Sequence, residues 1–410
     1  MTYPITPAYL EGQPEKVAAL FRGLEEFVLR DLCERFRLSG TATNTAIEQI
    51  RLLQRQGYSL ERIETYIREM LGISRTEYEA LYDDAIERNQ AYYEDVLTRD
   101  RLLAAEFDEG ALLEQLGQLR ERTQSELETL TRSMGFMYRG PDGSLAWTPL
   151  AQTYNKILDD ATVKVLSGAQ SYEQAIRDAG NKLAASGLQV IDYETGWHNR
   201  ADVAARRAVM TSITQISGQY GEAIAEAVPT KCWEITAHAG ARDTPGPNPW
   251  SSHKDWQGKV YSEGGVEGFP DLYEATGYGE VDGLMGINCR HMKEPFWPGI
   301  SERAYTDDEL ANIDPPPCEF EGKTYTAYQA TQKQREIEYA MRTVRRRLVA
   351  DRATGDDKKF TVDAAKYRRL DEEYANFSRA AGLPEQRDRM YVREFDRETY
   401  EETMRAEREE

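Results

Sequence analysis

The stretch Gly286-Ile287-Asn288-Cys289-Arg290-His291, with Pro295-Phe296-Trp297-Pro298-Gly299-Ile300-Ser301 shortly after it, combines metal-ligand residues, aromatic side chains and turn residues. It belongs to a segment of about 65 residues, rich in Gly, Pro, Trp and Tyr, that has little helical periodicity and is too long for an ordinary loop. Upstream, Lys231-Cys232-Trp233-Glu234-Ile235-Thr236 is typical of a β-strand. We therefore predict a small α+β domain at residues 230–305, folded around its own core or a metal.

Potential metal ligands are concentrated in and beside this domain: Cys232, His238, His253, Cys289, His291 and Cys318. Zinc prefers thiolate and imidazole ligands, and a structural zinc site needs four of them in a tetrahedron. The candidate ligands of a structural zinc are His238, His253, Cys289 and His291. Their spacing matches no common zinc finger, so the alternative is a buried cysteine beside histidines that are hydrogen-bonded to loop carbonyls.

The same segment also permits an enzyme hypothesis. A base and metal ligands for a hydrolase or nuclease would come from His238, Asp243, His253 and Glu263. The sequence lacks the His-x-Glu and Cys-x-x-Cys pair of zinc deaminases, and it also lacks His-Glu-x-x-His, Gly-x-Ser-x-Gly and a P-loop. We predict that the protein is not an enzyme, and the alternative is a metal-dependent hydrolase built on the His238/His253/Cys289/His291 cluster.

Aromatic residues supply much of the apolar surface of this segment. We predict that six of them fill the core of the small domain: Trp250, Trp256, Phe269, Tyr273, Phe296 and Trp297. A site that stacks sugars or bases is the alternative, and no motif supports it.

Helical periodicity dominates the rest of the chain. Pro14 to Phe36 carries an apolar stripe at helical spacing, and Ser74-Arg75-Thr76-Glu77 has the pattern of a capping box at a helix start. Gly140-Pro141-Asp142-Gly143 predicts the turn of a β-hairpin. The predicted fold class is mainly α with a small α+β domain. Its four parts are an elongated helical region (1–135), a helical connector with the hairpin (136–229), the α+β domain (230–305), and a linker with a helical charged tail (306–410).

One helix of the tail carries a basic run: Arg342, Arg345, Arg346, Arg347 and Arg352. Its opposite face is apolar, and the run is typical of a solvated face that pairs with carboxylates nearby in the sequence, namely Glu336, Glu338 and Asp351. The alternative is contact with DNA phosphates or with an acidic protein surface.

The chain is polar and acidic. It has 410 residues, 40% of them hydrophobic, and a formal net charge of -20. From Lys323 onward 20 basic residues face 19 acidic ones, whereas the preceding part has 31 against 52. An acidic body argues against a nucleic-acid coat, because such a coat must neutralise phosphates. The sequence has neither an apolar run of about 20 residues nor a signal peptide at its start, so we expect synthesis in the cytoplasm and no membrane contact.

The order and spacing of several motifs resemble the phage minor capsid protein 2 family, which is related to the Mu F-like head morphogenesis proteins. The resemblance is densest from 230 to 305. It rests on the following segments: Thr45–Ile50, Gly57–Ile63, Arg206–Val209, His238–Arg242, Ser252-His253, Gln257–Tyr261, Gly286–His291 and Pro295–Ser301. Mu F-like relatives tend to end this domain in Cys-Arg-Cys, whereas this chain has His291, which weakens any transfer of a metal site from that family.

The resemblance implies a structural virion protein, made in the cytoplasm of the host bacterium, that is located in the capsid near the portal. It implies binding to the portal protein, with the major capsid or scaffolding protein as further partners, and several copies in each virion. It also implies a role in head assembly and in packaging or ejection of the genome. The Mu F-like domain would correspond to residues 230–305.

Overall fold

Three of the four helices described before residue 135 are long. The computed structural model describes residues 3–41, 61–102, 107–139, 145–191, 198–266, 268–390 and 395–406. Its first helices are α1 (Pro7–Gly12), α2 (Glu15–Thr41), α3 (Glu61–Arg99) and α4 (Glu109–Arg132). The apolar stripe of α2 is buried at Val17, Phe21 and Leu24, which confirms its predicted face. Most of the segment 45–63, part of the family resemblance, lies outside the described residues.

The predicted capping box at Ser74 is wrong. Ser74 lies inside α3, and its side chain is buried within the continuous helix. An N-cap needs an extended backbone at the start of a helix, and a residue in mid-helix cannot provide one. By contrast, Asp108 stands just before α4, and its carboxylate accepts a hydrogen bond from the Ala111 N–H at 3.0 Å.

The predicted β-hairpin is confirmed. Strands β1 (Met134–Arg139) and β2 (Leu145–Pro149) pair antiparallel, with Met137 opposite Trp147. The turn residues themselves lie outside the described residues. After the hairpin come α5 (Leu150–Leu166), α6 (Tyr172–Ser186), β3 (Gln189–Ile191) and β4 (His198–Arg200). The four strands form one antiparallel sheet in the order β2-β1-β3-β4.

A second, three-stranded sheet forms the centre of the predicted α+β domain. The elements in this part are α7 (Ala201–Ala227), β5 (Cys232–Ile235), α8 (His253–Trp256), β6 (Val260–Ser262), α9 (Leu272–Thr276) and β7 (Lys293–Phe296). Strand β5 is central and pairs antiparallel with β6 and β7. Both of its faces are buried: Trp233 and Ile235 pack on Trp256 and Tyr261, while Cys232 packs on the opposite side.

Five of the six aromatic residues predicted for this core take part in it. Trp256, Phe296 and Trp297 are buried, and Trp250 and Phe269 pack against the core while half-buried. The prediction is wrong for Tyr273, whose exposed fraction is 48%. Tyr273 lies on the one-turn helix α9, where Leu272 takes the inward position instead.

The predicted helical tail is confirmed. It follows α10 (Asp307–Ala311) and the hairpin β8 (Cys318–Phe320) and β9 (Lys323–Tyr325), and comprises α11 (Ala327–Thr354), α12 (Asp357–Ala380) and α13 (Arg397–Arg405). The apolar stripe of α11 is buried at Ile337, Met341 and Leu348. No helix in the described part of the chain is long and apolar enough to span a bilayer.

Two compact units divide the chain, and each gathers three separate stretches. Unit 1 comprises Met1–Val17, Arg75–Glu126 and Arg206–Lys333. Unit 2 comprises Ala18–Ser74, Leu127–Ala205 and Gln334–Glu410. Unit 1 holds the three-stranded sheet and unit 2 the four-stranded sheet. The four consecutive parts predicted from the sequence stay a prediction.

The basic run on α11 is engaged inside unit 2. The buried Arg346 guanidinium donates to the Glu25 carboxylate at 3.2 Å and to the Ala184 carbonyl at 3.1 Å. Arg342 donates to Asp202 at 2.7 Å. The remaining pairs are Arg345 with the Tyr367 hydroxyl, Arg347 with Asp363 and Arg352 with Glu398. A phosphate would reach Arg342 or Arg346 only by displacing a carboxylate. Contact of DNA with this run stays a prediction, and the ion pairs argue against it.

Candidate metal centre

Three of the four residues predicted to bind zinc converge in unit 1. The donor atoms of His253, Cys289 and His291 all lie within 4.8 Å of one another. Cys289 Sγ is 3.8 Å from His253 Nδ1 and 3.5 Å from His291 Nδ1. The exposed fractions of these side chains are 3%, 3% and 1%, so the group is enclosed by protein. We refer to these three residues as the ligand trio.

Tight turns of the backbone place the side chains of the ligand trio in the protein interior. His253 begins the short helix α8, and Cys289 and His291 come immediately before β7. Met285 and Asn288 have left-handed backbones, with φ of 59° and 58°. A Cβ on Gly286 would lie 2.5 Å from the Val281 carbonyl oxygen, so only glycine fits there. Left-handed non-glycine residues are strained, and such strain is concentrated at functional sites.

Each histidine of the trio is oriented through its other ring nitrogen. His253 Nε2 lies 3.0 Å from the Asp282 main-chain carbonyl oxygen. His291 Nε2 lies 3.0 Å from Gln257 Oε1, which also accepts the His238 backbone N–H at 3.0 Å. Partners of this kind hold metal-binding histidines in a fixed orientation and tautomer. The sequence marked Gln257 as part of a family segment but not as a partner of the site, and Asp282 acts through its main chain, which no side-chain pattern can reveal.

Burial makes the neutral imidazole the favoured form. It lowers the pKa of His253 to about 4, and it lowers the pKa of His291 well below its usual value. Burial also raises the pKa of the Cys289 thiol, although backbone hydrogen bonds and the nearby Arg242 and Arg290 oppose this effect. Metal ions bind the neutral form of histidine, so these rings are ready to act as ligands.

The other predicted ligands lie outside the trio. The His238 ring stacks on the His291 ring at a centroid distance of 4.5 Å, and its Nδ1 lies 2.8 Å from the Ala239 carbonyl oxygen. Cys232 packs on the opposite face of the sheet, and Cys318 is half-buried in the β8–β9 hairpin. The structure thus brings together three of the six cysteines and histidines that the sequence singled out.

The carboxylates of the hydrolase hypothesis do not join the trio. Among the described residues, the group that could hold a metal ion contains neither Asp243 nor Glu263. Glu263 instead accepts the Trp233 indole N–H at 3.0 Å. A metal-dependent hydrolase needs a metal with an accessible position and a base within reach of the substrate. Protein encloses the trio, so a substrate would have no access to a metal bound there.

Comparison with known proteins places this chain in a phage family. The family model described as phage minor capsid protein 2 matches residues 5–377. A "Structural protein" of Lactococcus phage LL-H is 26% identical over 179 residues, which cover 39% of this chain and 44% of that relative. No solved structure matches the chain. Because the family match extends over most of the sequence and includes the ligand trio, the chain belongs to the phage minor capsid protein 2 family.

Proposed function

We propose that this protein is a low-copy structural component of the phage head that binds the portal protein during head assembly and stays in the virion. The observation that carries the proposal is the family match over residues 5–377, which includes parts of both units. The description of the Lactococcus phage relative as a structural protein agrees with this class of role.

The proposed portal contacts are made by the helices before residue 135, separately in each unit. Ile73 on α3 exposes 52% of its surface, and Leu113 on α4 exposes 37%. Exposed apolar side chains on long helices bind grooves or helix bundles of partner proteins, because the contact removes apolar surface from water. The major capsid protein and the scaffolding protein are the alternative partners for these helices.

Complementation of a phage that lacks this gene tests the proposal. We expect Ile73→Asp and Leu113→Asp to reduce both co-purification with the portal protein and the number of copies per virion, measured by quantitative mass spectrometry. Val362→Asp is the matched control, because Val362 is 66% exposed on the tail helix α12. Full incorporation of the first two variants, binding to scaffold alone, or presence in procapsids but not in virions would each contradict the proposal.

We further propose that the acidic body helps packaging or ejection by letting DNA pass without binding. The net charge of -20 supports this role, because negatively charged surfaces repel phosphates. Replacement of exposed Asp and Glu before Lys323 with Asn and Gln is expected to slow ejection from purified virions. Unchanged packaging and ejection in a charge-neutralised phage would remove this part of the proposal.

A structural role also agrees better than hydrolysis with the enclosed ligand trio. The hydrolase hypothesis predicts that His253→Ala abolishes a turnover but leaves folding and virion incorporation intact. We expect the opposite result: His253→Ala lowers thermal stability and reduces incorporation, because a buried contact in unit 1 is lost.

A further inference from the structure

The hydrogen positions on both histidines of the ligand trio follow from their surroundings. His253 Nε2 faces a main-chain carbonyl, which can only accept a hydrogen bond. His291 Nε2 faces Gln257 Oε1, and the orientation of that amide is fixed because Oε1 accepts the His238 N–H. Both Nε2 atoms therefore carry hydrogen, and each Nδ1 presents a lone pair.

These two lone pairs face one sulfur atom. Cys289 Sγ lies 3.8 Å and 3.5 Å from the two Nδ1 atoms, and it also accepts the His291 backbone N–H at 3.4 Å. A thiol has a single hydrogen, so it can satisfy only one Nδ1 and leaves a buried acceptor unpaired. A bound cation removes this conflict, because it takes all three lone pairs at once.

We propose that His253 Nδ1, Cys289 Sγ and His291 Nδ1 bind one Zn²⁺, with a water molecule as the fourth ligand. This inference does not depend on the role in the phage head. Zinc–sulfur and zinc–nitrogen bonds of about 2.3 and 2.0 Å at tetrahedral angles put sulfur and nitrogen roughly 3.5 Å apart. The two sulfur–nitrogen distances in the structure, 3.5 and 3.8 Å, are close to this value. The two nitrogens lie within 4.8 Å of each other and would move closer together on binding.

The donor set selects the kind of metal. Thiolate and imidazole favour zinc over magnesium and calcium, which prefer oxygen ligands. Asp282 and Gln257 then act as the outer partners that orient the ligand rings. The zinc would join α8 to the segment before β7, in a part of unit 1 with little regular secondary structure, and so stabilise loops that a small core holds weakly.

His238 does not belong to this ligand set. Its ring lies face to face with that of His291, at an interplanar angle of 22°, and its Nδ1 is next to the Ala239 carbonyl oxygen. In this position it covers the His291 ring and does not direct a nitrogen at the metal. The three-ligand assignment therefore differs in a testable way from a site of four protein ligands.

The full-length protein, purified from zinc-supplemented cells, provides the first test. We expect one zinc per chain by elemental mass spectrometry. Removal of zinc with a chelator should lower the melting temperature, and added zinc should restore it. Reconstitution with Co²⁺ should give the visible bands of four-coordinate cobalt and a thiolate-to-cobalt charge-transfer band. A wild-type protein that contains no zinc and gives no such cobalt spectrum would overturn the proposal.

Variants of the same protein test the ligand assignment. Cys289→Ala should lose zinc and the charge-transfer band, whereas Cys232→Ala, the matched change at a buried cysteine of the same unit, should keep both. His238→Asn should also keep zinc. Loss of zinc in His238→Asn or Cys232→Ala, or its retention in Cys289→Ala, would overturn the assignment. If Cys289→Ala does not fold, the wild-type chelation and cobalt measurements still decide whether a thiolate-bound metal is present.

Discussion

Two buried glutamates lie directly opposite each other on neighbouring strands of the unit 1 sheet. Glu294 on β7 pairs with Glu234 on β5, and their exposed fractions are 2% and 4%. The Tyr93 hydroxyl donates to Glu294 Oε2 at 2.6 Å, while Oε1 has no hydrogen-bond partner among the described residues. Burial raises the pKa of Glu294 to about 8; Tyr93 and Lys293 oppose this shift, and Glu234 adds to it.

This pKa makes the stability of the folded protein depend on pH. In the unfolded chain Glu294 loses its proton near pH 4.5, whereas in the folded protein it keeps the proton until about pH 8. Between these values the folded state binds more protons, so the free energy of unfolding falls as pH rises. A tenfold change in proton affinity corresponds to about 1.4 kcal/mol, so the loss between pH 5 and pH 8 is roughly 3.5 kcal/mol.

Glu294→Gln removes the titrating group and keeps its size. Urea unfolding of wild type and variant at pH 5 and pH 8 gives four free energies of unfolding. The change in packing and the titration of all other groups cancel in their double difference. Between pH 5 and pH 8 we expect the free energy of unfolding of the variant to rise by roughly 3.5 kcal/mol relative to that of wild type. Glu274→Gln, the same substitution at an exposed glutamate on α9, is the control.

Parallel pH profiles of wild type and Glu294→Gln would refute the reasoning. They would mean that Glu294 is ionised in the folded protein at pH 5 as well as at pH 8. Burial of this carboxyl in the sheet would then not control its protonation.

Two further changes test the packing of unit 2, both by urea denaturation. Arg346→Met removes a buried guanidinium that contacts Glu25 at 3.2 Å, and we expect the free energy of unfolding to fall by about 3 kcal/mol. The loss is no larger because Arg200 still pairs with Glu25 at 2.9 Å. An unchanged urea midpoint would show that this ion pair contributes nothing to stability. Gly187→Ala is expected to destabilise by more than about 1 kcal/mol, because φ is 70° and the added Cβ would lie 2.6 Å from Glu25 Oε1. If Gly187→Ala were as stable as wild type, the predicted strain at this position would be wrong.

Local signals in the sequence predicted the elements well. The apolar stripe of α11, the β1–β2 hairpin around Gly140–Gly143 and the strand β5 were all predicted from periodicity and turn residues. These features depend on residues within a few positions of one another, so the sequence contains the whole signal. The motifs from 230 to 305 also indicated the phage minor capsid protein 2 family, which the comparison confirms. The relation to Mu F-like proteins stays a prediction.

Features that depend on contacts with residues far away in the sequence were predicted poorly. The capping pattern at Ser74 is a local motif, but packing buries that serine inside α3. The arginines of α11 looked like a charged surface, whereas Arg342 and Arg346 are bound to Asp202 and Glu25. Those carboxylates are more than a hundred positions away, so no pattern in the neighbouring sequence shows that the arginines are already paired.

The sequence by itself determined the mainly helical class, the presence of a small α+β part and the kinds of side chain that a metal would require. Only the tertiary structure decided which of those side chains meet, and it selected His253, Cys289 and His291 while it left His238 beside them. It also fixed the direction of the lone pairs through the Asp282 carbonyl and Gln257. The physical reason is that periodicity is a local property, whereas a ligand cluster depends on how distant loops fold together and on main-chain atoms that every residue shares.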